Sequence, residues 1–372
     1  MSALAPVIRI GESVMSIDTP ALLVDLDLLQ RNIAAMAGFA HSNGIRLRPH
    51  SKTHKCIAIA QMQIAAGAIG ICCQKVSEAE AFVLGGITDI LLSNEVISPP
   101  KLRRLMALTD RARIGICIDS ALGLDRLAEA ARDVDRPVDV YVELDVGAGR
   151  CGVKSPAEAL ALIEESGACR GLRYAGVQAY QGKAQHFRTP EERQRAIDVA
   201  CRLIGDLRDL LAQRSIAIGT VTGAGTGTFY AETGSGIYDE IQPGSYIFMD
   251  RDYRDNSCLP DAITFGHSLT LLTEVMSASS AHVVVDAGLK AHAVDSGMPV
   301  VLGRSDLTYG NPSDEHGVVR CANGDSLPAL GEKLSLVPGH CDPTVNLHDW
   351  LVIHRDGYVV DLWRIEARGA LS

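Results

Sequence analysis

Eight short runs of β-branched and apolar residues, separated by amphipathic helical stretches, constrain the fold of this chain more than any other feature. The runs are RLRPH (46–50), IGICC (69–73), DILLS (89–93), RIGICID (113–119), PVDVYVELD (137–145), YAGVQAY (174–180), AIGTVTG (217–223) and EIQPGSYIF (240–248). Between them lie SEAEAFVLGG, PPKLRRLMALT, ALGLDRLAEAAR and TPEERQRAIDVACRLIGDLRDLLAQR, the last opening on a capping threonine, a first-turn proline and acidic residues. Strict alternation of strand and helix implies parallel strands. Eight units favour closure into a (β/α)8 TIM barrel over an open doubly wound sheet, and the interval from 46 to 248 suits a barrel of ordinary size.

After Asp252 the pattern changes to strands without long helices between them: SLTLLTEVMS, HVVVDAGL, PVVLG, HGVVR, KLSLVPGH, WLVIH and YVVDLWRI. The expected architecture is an α/β barrel over 26–254 followed by a C-terminal β domain over 255–372. Residues 1–25 join that β domain, because TPALLVDLDLL reads as a short strand running into a helix over 26–43. No internal repeat or low-complexity linker interrupts the chain.

Composition narrows the function. With 22% charged residues and a net charge of -10, there is no basic surplus to neutralise nucleic acid or to hold an anionic membrane. The apolar stretches are broken by charge or glycine far short of the roughly 20 residues of a membrane helix. Ten cysteines, Cys72 beside Cys73 among them, follow neither a zinc-finger nor a disulfide-scaffold spacing, and the first residues do not pair a basic segment with a long apolar one. Small-molecule chemistry in the reducing cytosol is the expectation.

The first barrel strand ends in Arg48-Pro49-His50-Ser51-Lys52-Thr53-His54-Lys55, where a barrel mouth presents catalytic side chains. Cations around Lys52 are expected to depress its pKa and make it nucleophilic enough to form a Schiff base with an aldehyde. A solvated basic turn is the other reading. The seventh strand runs into Thr222-Gly223-Ala224-Gly225-Thr226-Gly227-Thr228 and the eighth carries Gly244-Ser245-Tyr246. Glycines there let backbone N–H groups approach a phosphate, as barrels do after strands 7 and 8. Either turn alone is more often a simple bend.

Arg150 follows a flexible Gly-rich turn, where its guanidinium either hydrogen-bonds a phenolate oxygen of a cofactor ring or makes a surface salt bridge. The sixth strand delivers Gln178 and Tyr180, followed by His186, a proton-transfer candidate or an ordinary loop histidine. Near the C-terminus, His340 and Asp342 flank Cys341. In extended chain they face one side, with Cys341 pointing away. They then hold one divalent ion with positions left for water and substrate, or else they form a structural turn. Asp314, Glu315 and His316 make a further cluster of open role, for which a solvated turn is the simpler reading.

Together PHSKTHK, CCQKVSEAEAF, GAGRCGV, TGAGTGT, QPGSYIFMD, DAGLK, DEHGVV and PGHCDPTVNLHDW resemble the D-threonine aldolase and 3-hydroxy-D-aspartate aldolase family, from about Thr19 to the C-terminus. The resemblance implies a fold-type III pyridoxal-phosphate barrel related to alanine racemase, in a homodimer whose subunits share active sites. It implies Lys52 as the cofactor-linked lysine and Arg150 facing the ring oxygen. It also implies Gly225, Thr226, Gly227, Gly244, Ser245 and Tyr246 as the phosphate cradle, His186 beside the substrate, and His340 and Asp342 as metal ligands.

No counterpart of the racemase's tyrosine base stands in the β domain. Related dehydratases carry a cysteine where Asp342 stands, and an oxygen donor favours Mn2+ or Mg2+ over thiolate-bound zinc. Cleavage of a D-3-hydroxy amino acid to glycine and an aldehyde is therefore expected over water elimination. A cofactor-carrying homeostasis protein is the non-enzymatic alternative, which the residues over 255–372 disfavour. Acetaldehyde, glyoxylate and an aromatic aldehyde all remain as the released fragment, with DAGLKAHAVDSG and PGHCDP leaning toward glyoxylate.

Overall fold

A computed structural model describes residues 6–322 and 326–372; residues 1–5 and 323–325, within the expected β-domain range, lie outside the described residues. The chain opens with strand β1 (Ala21–Asp25) and helix α1 (Leu26–Ser42) and then enters a run of parallel strands. These are β2 (Arg46–Leu47), β3 (Ile71–Cys73), β4 (Asp89–Glu95), β5 (Arg113–Ile118), β6 (Val138–Glu143), β7 (Leu172–Ala179), β8 (Thr220–Gly223) and β9 (Glu240–Ile241). Helices α2 (Ile57–Ala65), α3 (Val76–Leu84), α4 (Pro99–Met106), α5 (Ala121–Ala130), α6 (Pro156–Ser166), α7 (Pro190–Gln213) and α8 (Phe229–Ser235) connect them.

Neighbouring strands pair in the order β2-β9-β8-β7-β6-β5-β4-β3. A parallel bridge between His50 and Cys72, with Cys72 N–H donating to Pro49 O at 2.8 Å, joins the two ends. The strand–helix alternation thus closes into the expected barrel.

Periodicity shows why the helices lie outside. In α7, Ile197, Ala200, Ile204, Leu207 and Leu211 are buried at three- and four-residue spacing, forming the stripe that packs inward. Its start is fixed by a capping box, Thr189 accepting from Glu192 N–H while the Glu192 carboxylate accepts from Thr189 N–H. At the N-terminal end of the barrel Arg48 is buried between Glu240, 2.9 Å away, and Asp89, 2.5 Å away. There is no room for a larger residue at Gly70, where a Cβ would lie 2.5 Å from the Arg48 guanidinium.

After α9 (Arg251–Arg254) come β10 (Leu269–Ala278), β11 (Val283–Val285), β12 (Val300–Val301), β13 (Leu307–Gly310), β14 (Gly317–Cys321) and β15 (Lys333–Val337). Helix α10 (Cys341–Val345), β16 (Trp350–Arg355) and β17 (Tyr358–Arg364) complete the chain. The second sheet runs β13-β14-β11-β10-β1-β16-β17, with β15 also on β10 and β12 on β15. Strand β1 lies antiparallel to β10 and parallel to β16, so the N-terminal strand belongs to the second sheet. Among the described residues no helix is long and apolar enough to cross a membrane.

Four local expectations change. EIQPGSYIF is a strand only over Glu240–Ile241, because Pro243 lacks the N–H a ladder needs, and Ser245–Ile247 form a 3-10 turn. RLRPH likewise stops at Leu47 before Pro49. The strand Leu307–Gly310 and the helix Cys341–Val345 appear where neither was expected.

Removing Arg48 leaves the buried Glu240 without its cation, while Asp89 keeps Arg113 at 3.7 Å, so Arg48→Ala is expected to lower stability by about 3 to 5 kcal/mol. Urea unfolding followed by circular dichroism measures it.

Candidate active site

The C-terminal ends of the barrel strands enclose a pocket lined by His50, Lys52, Arg150, Tyr180, Thr226 and Ser245 among others. Lys52 sits in a 3-10 turn, Ser51–Thr53, whose N-cap His50 accepts the Lys52 N–H on Nδ1 at 3.3 Å. Ser51 Oγ ties the turn to β3 by donating to Cys72 O at 2.7 Å.

The expected basic cluster is not one electrostatically. Arg48 is paired as described, Lys55 Nζ lies 3.0 Å from Glu78, and burial pushes His50 and His54 well below the ordinary imidazole range, leaving them neutral. Lys52 Nζ lies 3.7 Å from Asp342 Oδ2. Burial alone would lower the Lys52 pKa, but the Asp342 carboxylate and Tyr180 outweigh it and Arg150, and the net shift is upward. The expected depression is therefore corrected, since the cations counted on are neutral or already paired.

Opposite Lys52, Gly225, Thr226, Gly244 and Ser245 line the pocket, and among the described residues their backbone N–H groups donate to no protein acceptor. Thr226 Oγ1 accepts from Tyr246 N–H at 3.1 Å, joining the two loops. Glycine is needed at 244 because a Cβ there would lie 2.6 Å from Thr53 Oγ1 and 3.1 Å from His50 O. Four unengaged N–H groups in a small-residue concavity fit a phosphate.

Three of the expected cradle and cofactor positions stand back from the pocket. Gly227 N–H is taken by Gln185 Oε1 at 2.9 Å. The Tyr246 side chain is buried, with its hydroxyl accepting from Gln63 Nε2 at 3.0 Å. Thr222 is fully buried and donates to Glu240 at 2.9 Å while accepting from Gln242 at 2.7 Å. Gln178 lines the pocket and exchanges hydrogen bonds with Gln242. The Arg150 guanidinium lies 5.6 Å from the Tyr180 ring centroid and 4.0 Å from Glu143, at the pocket wall.

His186 Nδ1 meets Asp252 Oδ2 at 2.5 Å, and the ring lies 5.8 Å from that of Tyr253, itself a pocket residue. His340 is the N-cap of α10 and Asp342 is in its first turn. The extended geometry expected for the pair is thus replaced by a helix start, which the first-turn Pro343 accommodates at no hydrogen-bond cost. Asp295 Oδ2 holds His340 Nδ1 at 2.7 Å, leaving Nε2 for another partner. Asp342 Oδ1 lies 3.4 Å from Ser245 Oγ.

No group of three or more His, Cys, Asp and Glu side chains suited to a metal occurs among the described residues. The His340–Asp342 donor set therefore fits only an ion whose other positions go to water and substrate. Asp314, Glu315 and His316 form an exposed turn in which Glu315 pairs with Lys290 at 2.6 Å, apart from the pocket lining.

Sequence reading missed His50, Asp252, Tyr253 and Asp295. The first stood beside Lys52 in plain view; the others gain meaning only from contacts across the fold. The larger cavity, about 600 Å³, lies behind Thr226 and Tyr253 and is lined by apolar residues such as Phe229, Met249 and Phe265. The chemistry sits instead with the charged groups of the smaller pocket.

Behind the cradle, Glu232 is fully buried, accepts from Thr228 Oγ1 at 2.6 Å and has no partner for its second oxygen. Burial pushes its carboxyl up to about 7. The folded protein therefore holds this proton more tightly than the unfolded chain, whose glutamates titrate at about 4.3. Stability from this group is complete below that value and is lost as pH rises through 7. Glu232→Gln is expected to gain thermal stability relative to wild type at pH 8 but not at pH 4, read from melting temperatures at both.

Comparison with known proteins gives a consistent answer. The alanine racemase N-terminal domain family matches residues 24–252, and a putative serine dehydratase domain family matches 268–354. D-threonine aldolase of Arthrobacter sp is 46% identical over 99% of this chain and 97% of its own. 3-Hydroxy-D-aspartate aldolase of Paracoccus denitrificans (strain Pd 1222) is 44% identical over 96% and 94%. The crystal structure of D-threonine aldolase from Filomicrobium marinum superposes with a TM-score of 0.96 at 44% identity, covering 99% of this chain and 100% of that one. Dehydratase relatives are more distant, at 29% identity and below.

Proposed function

Because the chain belongs to the family of D-threonine aldolase and 3-hydroxy-D-aspartate aldolase, on the alanine racemase-like fold, we propose that it cleaves D-3-hydroxy amino acids to glycine and an aldehyde. The observation that carries this reading is the convergence of Lys52 and the unengaged N–H groups of the phosphate cradle on one pocket, with Asp342 against Lys52 and Ser245 at its edge. Pyridoxal phosphate, when bound, supplies the electron sink for carbon–carbon cleavage, and a divalent cation, Mn2+ or Mg2+, supplies the Lewis acid that acidifies the substrate's 3-hydroxyl.

The chain's own groups do the rest. Lys52 would anchor the cofactor through its amine. Gly225, Thr226, Gly244 and Ser245 bind the phosphate through backbone N–H groups, with Gly227, Tyr246 and Thr222 shaping the loops from behind. Arg150, Gln178 and Tyr180 line the same pocket and would hold the cofactor's ring, with the guanidinium as the donor to its oxygen. His340 and Asp342 hold the cation, with Asp295 fixing the His340 ring so that Nε2 is presented. His186, oriented by Asp252, takes the 3-hydroxyl proton; the carboxylate on Nδ1 stabilises the imidazolium that results.

An oxygen donor at position 342 supports aldol cleavage over the elimination of dehydratases. The substrate class covers D-threonine, 3-hydroxy-D-aspartate and aromatic analogues, acted on by a cytoplasmic homodimer. Cys56, Cys72, Cys73, Cys117 and Cys341 are buried free thiols, which suits a reducing compartment.

The loaded protein is expected to absorb near the visible edge, and Lys52→Ala to lose both that absorbance and cleavage. EDTA, or Asp342→Ala, is expected to abolish cleavage while the absorbance stays. A protein that remains colourless with added cofactor overturns the cofactor reading, and full activity in EDTA overturns the metal reading.

A further inference from the structure

Arg150 reaches the pocket from a loop whose backbone is held at both ends. Asp145 Oδ1 accepts the Gly147 and Gly149 N–H groups at 3.0 and 2.9 Å, and Asp119 Oδ2 accepts that of Gly152 at 3.1 Å. With the backbone fixed, the charge beneath the guanidinium decides where it rests. That charge comes from the ends of β4 and β6.

Glu143 is buried, and its carboxyl lies 4.0 Å from the Arg150 guanidinium, too far for a hydrogen bond. Glu95 lies against Glu143. Among the described residues no amide, hydroxyl or cation donates to either buried oxygen of Glu95. The groups within its reach are the Glu143 carboxyl and the Cys151 thiol, and a carboxyl donates only while it keeps its proton.

Two buried carboxylates side by side repel, so one of them holds a proton. Burial and the Glu95 charge push the Glu143 carboxyl well above the usual carboxylate range, and Arg150 only partly offsets them. Burial and Glu95 push the Cys151 thiol up to about 12, so it adds no charge. From β5, Asp119 and the buried Cys117 thiol face the pair, and Gln178, beside Glu143 on β7, is neutral. Across the pocket Arg150 faces His50, Lys52 and Tyr180.

We infer that Glu143 donates its proton to Glu95, so that the pair beneath Arg150 carries one negative charge in place of two and the guanidinium stays available to the cofactor's ring oxygen. Both glutamates are then positioning residues that act through Arg150. Held off Glu143, the guanidinium rests over the Tyr180 ring, 5.6 Å from its centroid. Loss of the proton at alkaline pH puts a second charge under Arg150 and draws it onto Glu143. The inference rests on the reading of Arg150 as the donor to the ring oxygen.

Infrared spectra of the full-length protein test the proton directly. At pH 8, above the range where Glu232 titrates, the difference between wild type and Glu143→Gln is expected to show the carbonyl stretch of a neutral carboxylic acid. Glu95→Gln, which removes the like charge, should move the loss of that band to lower pH by at least about one unit. Pyridoxal phosphate affinity, read from the absorbance of the bound cofactor, is the second arm. At pH 8 wild type and Glu143→Gln should agree within about twofold, because the amide donates to Glu95 as the acid does. On raising the pH to about 10, wild type should lose at least about fivefold more affinity than Glu143→Gln, as one added charge about 4 Å from the guanidinium implies.

Circular dichroism and melting curves establish that each variant is folded. A difference spectrum without the acid band, or a band whose titration Glu95→Gln leaves in place, overturns the inference and leaves the cofactor reading standing. So does an equal alkaline loss of affinity in wild type and Glu143→Gln, which assigns the titrating group elsewhere. An acid band in a protein that binds no cofactor overturns the reading of Arg150, and the inference with it.

Discussion

The site depends on how the segment leaving the barrel grips the loop of the β domain that carries His340. Asp250 accepts Tyr253 N–H at 3.0 Å on one oxygen and Cys341 N–H at 3.0 Å on the other. The next two residues donate their N–H groups to Pro338 O at 3.1 Å and Gly339 O at 3.3 Å. Gly339 in turn lies so close to Gly297 that a Cβ would sit 2.0 Å from its carbonyl oxygen. This clamp brings Asp342 against Lys52 across most of the chain's length. Because Asp252 of the same segment holds His186, one short acidic stretch holds the His186 ring and the backbone beside His340.

The electrostatics follow from that convergence. PHSKTHK looks strongly basic as a string, yet Lys55 is answered by Glu78, the two buried histidines are neutral, and Lys52 has Asp342. What remains is a pocket with few fixed charges: the Lys52–Asp342 pair, Arg150 over Tyr180, and unengaged backbone N–H groups. That distribution suits a dianionic phosphate at one end and a cation-assisted hydroxyl at the other.

The barrel was legible in the sequence because its signal is periodic and redundant. Eight strands and the stripe of Ile197, Ala200, Ile204, Leu207 and Leu211 each repeat the same message, and β1 joined to α1 announced itself by its apolar run. Features decided by a single distant contact were not legible. Helix α10 is a five-residue turn whose identity rests on Asp250 and Pro343 rather than on propensity, so His340 and Asp342 were read as extended chain. The direction of the Lys52 shift was misread for the same reason: its neighbours in sequence are not the charges nearest it in space. Glycines marked the cradle correctly as a place of close backbone approach, but not which N–H groups remain open, since only the fold reveals Gln185 on Gly227. Strand β13, four residues with alternate burial, lacks the length to stand out from a loop.

Carbon–carbon cleavage is the central claim, and product identity tests it most directly. Purified protein loaded with pyridoxal phosphate and Mn2+ is incubated with D-threonine, D-phenylserine and 3-hydroxy-D-aspartate, and the products are separated and identified. Glycine and the matching aldehyde in equal amounts are the expected result; ammonia with a keto acid would contradict it.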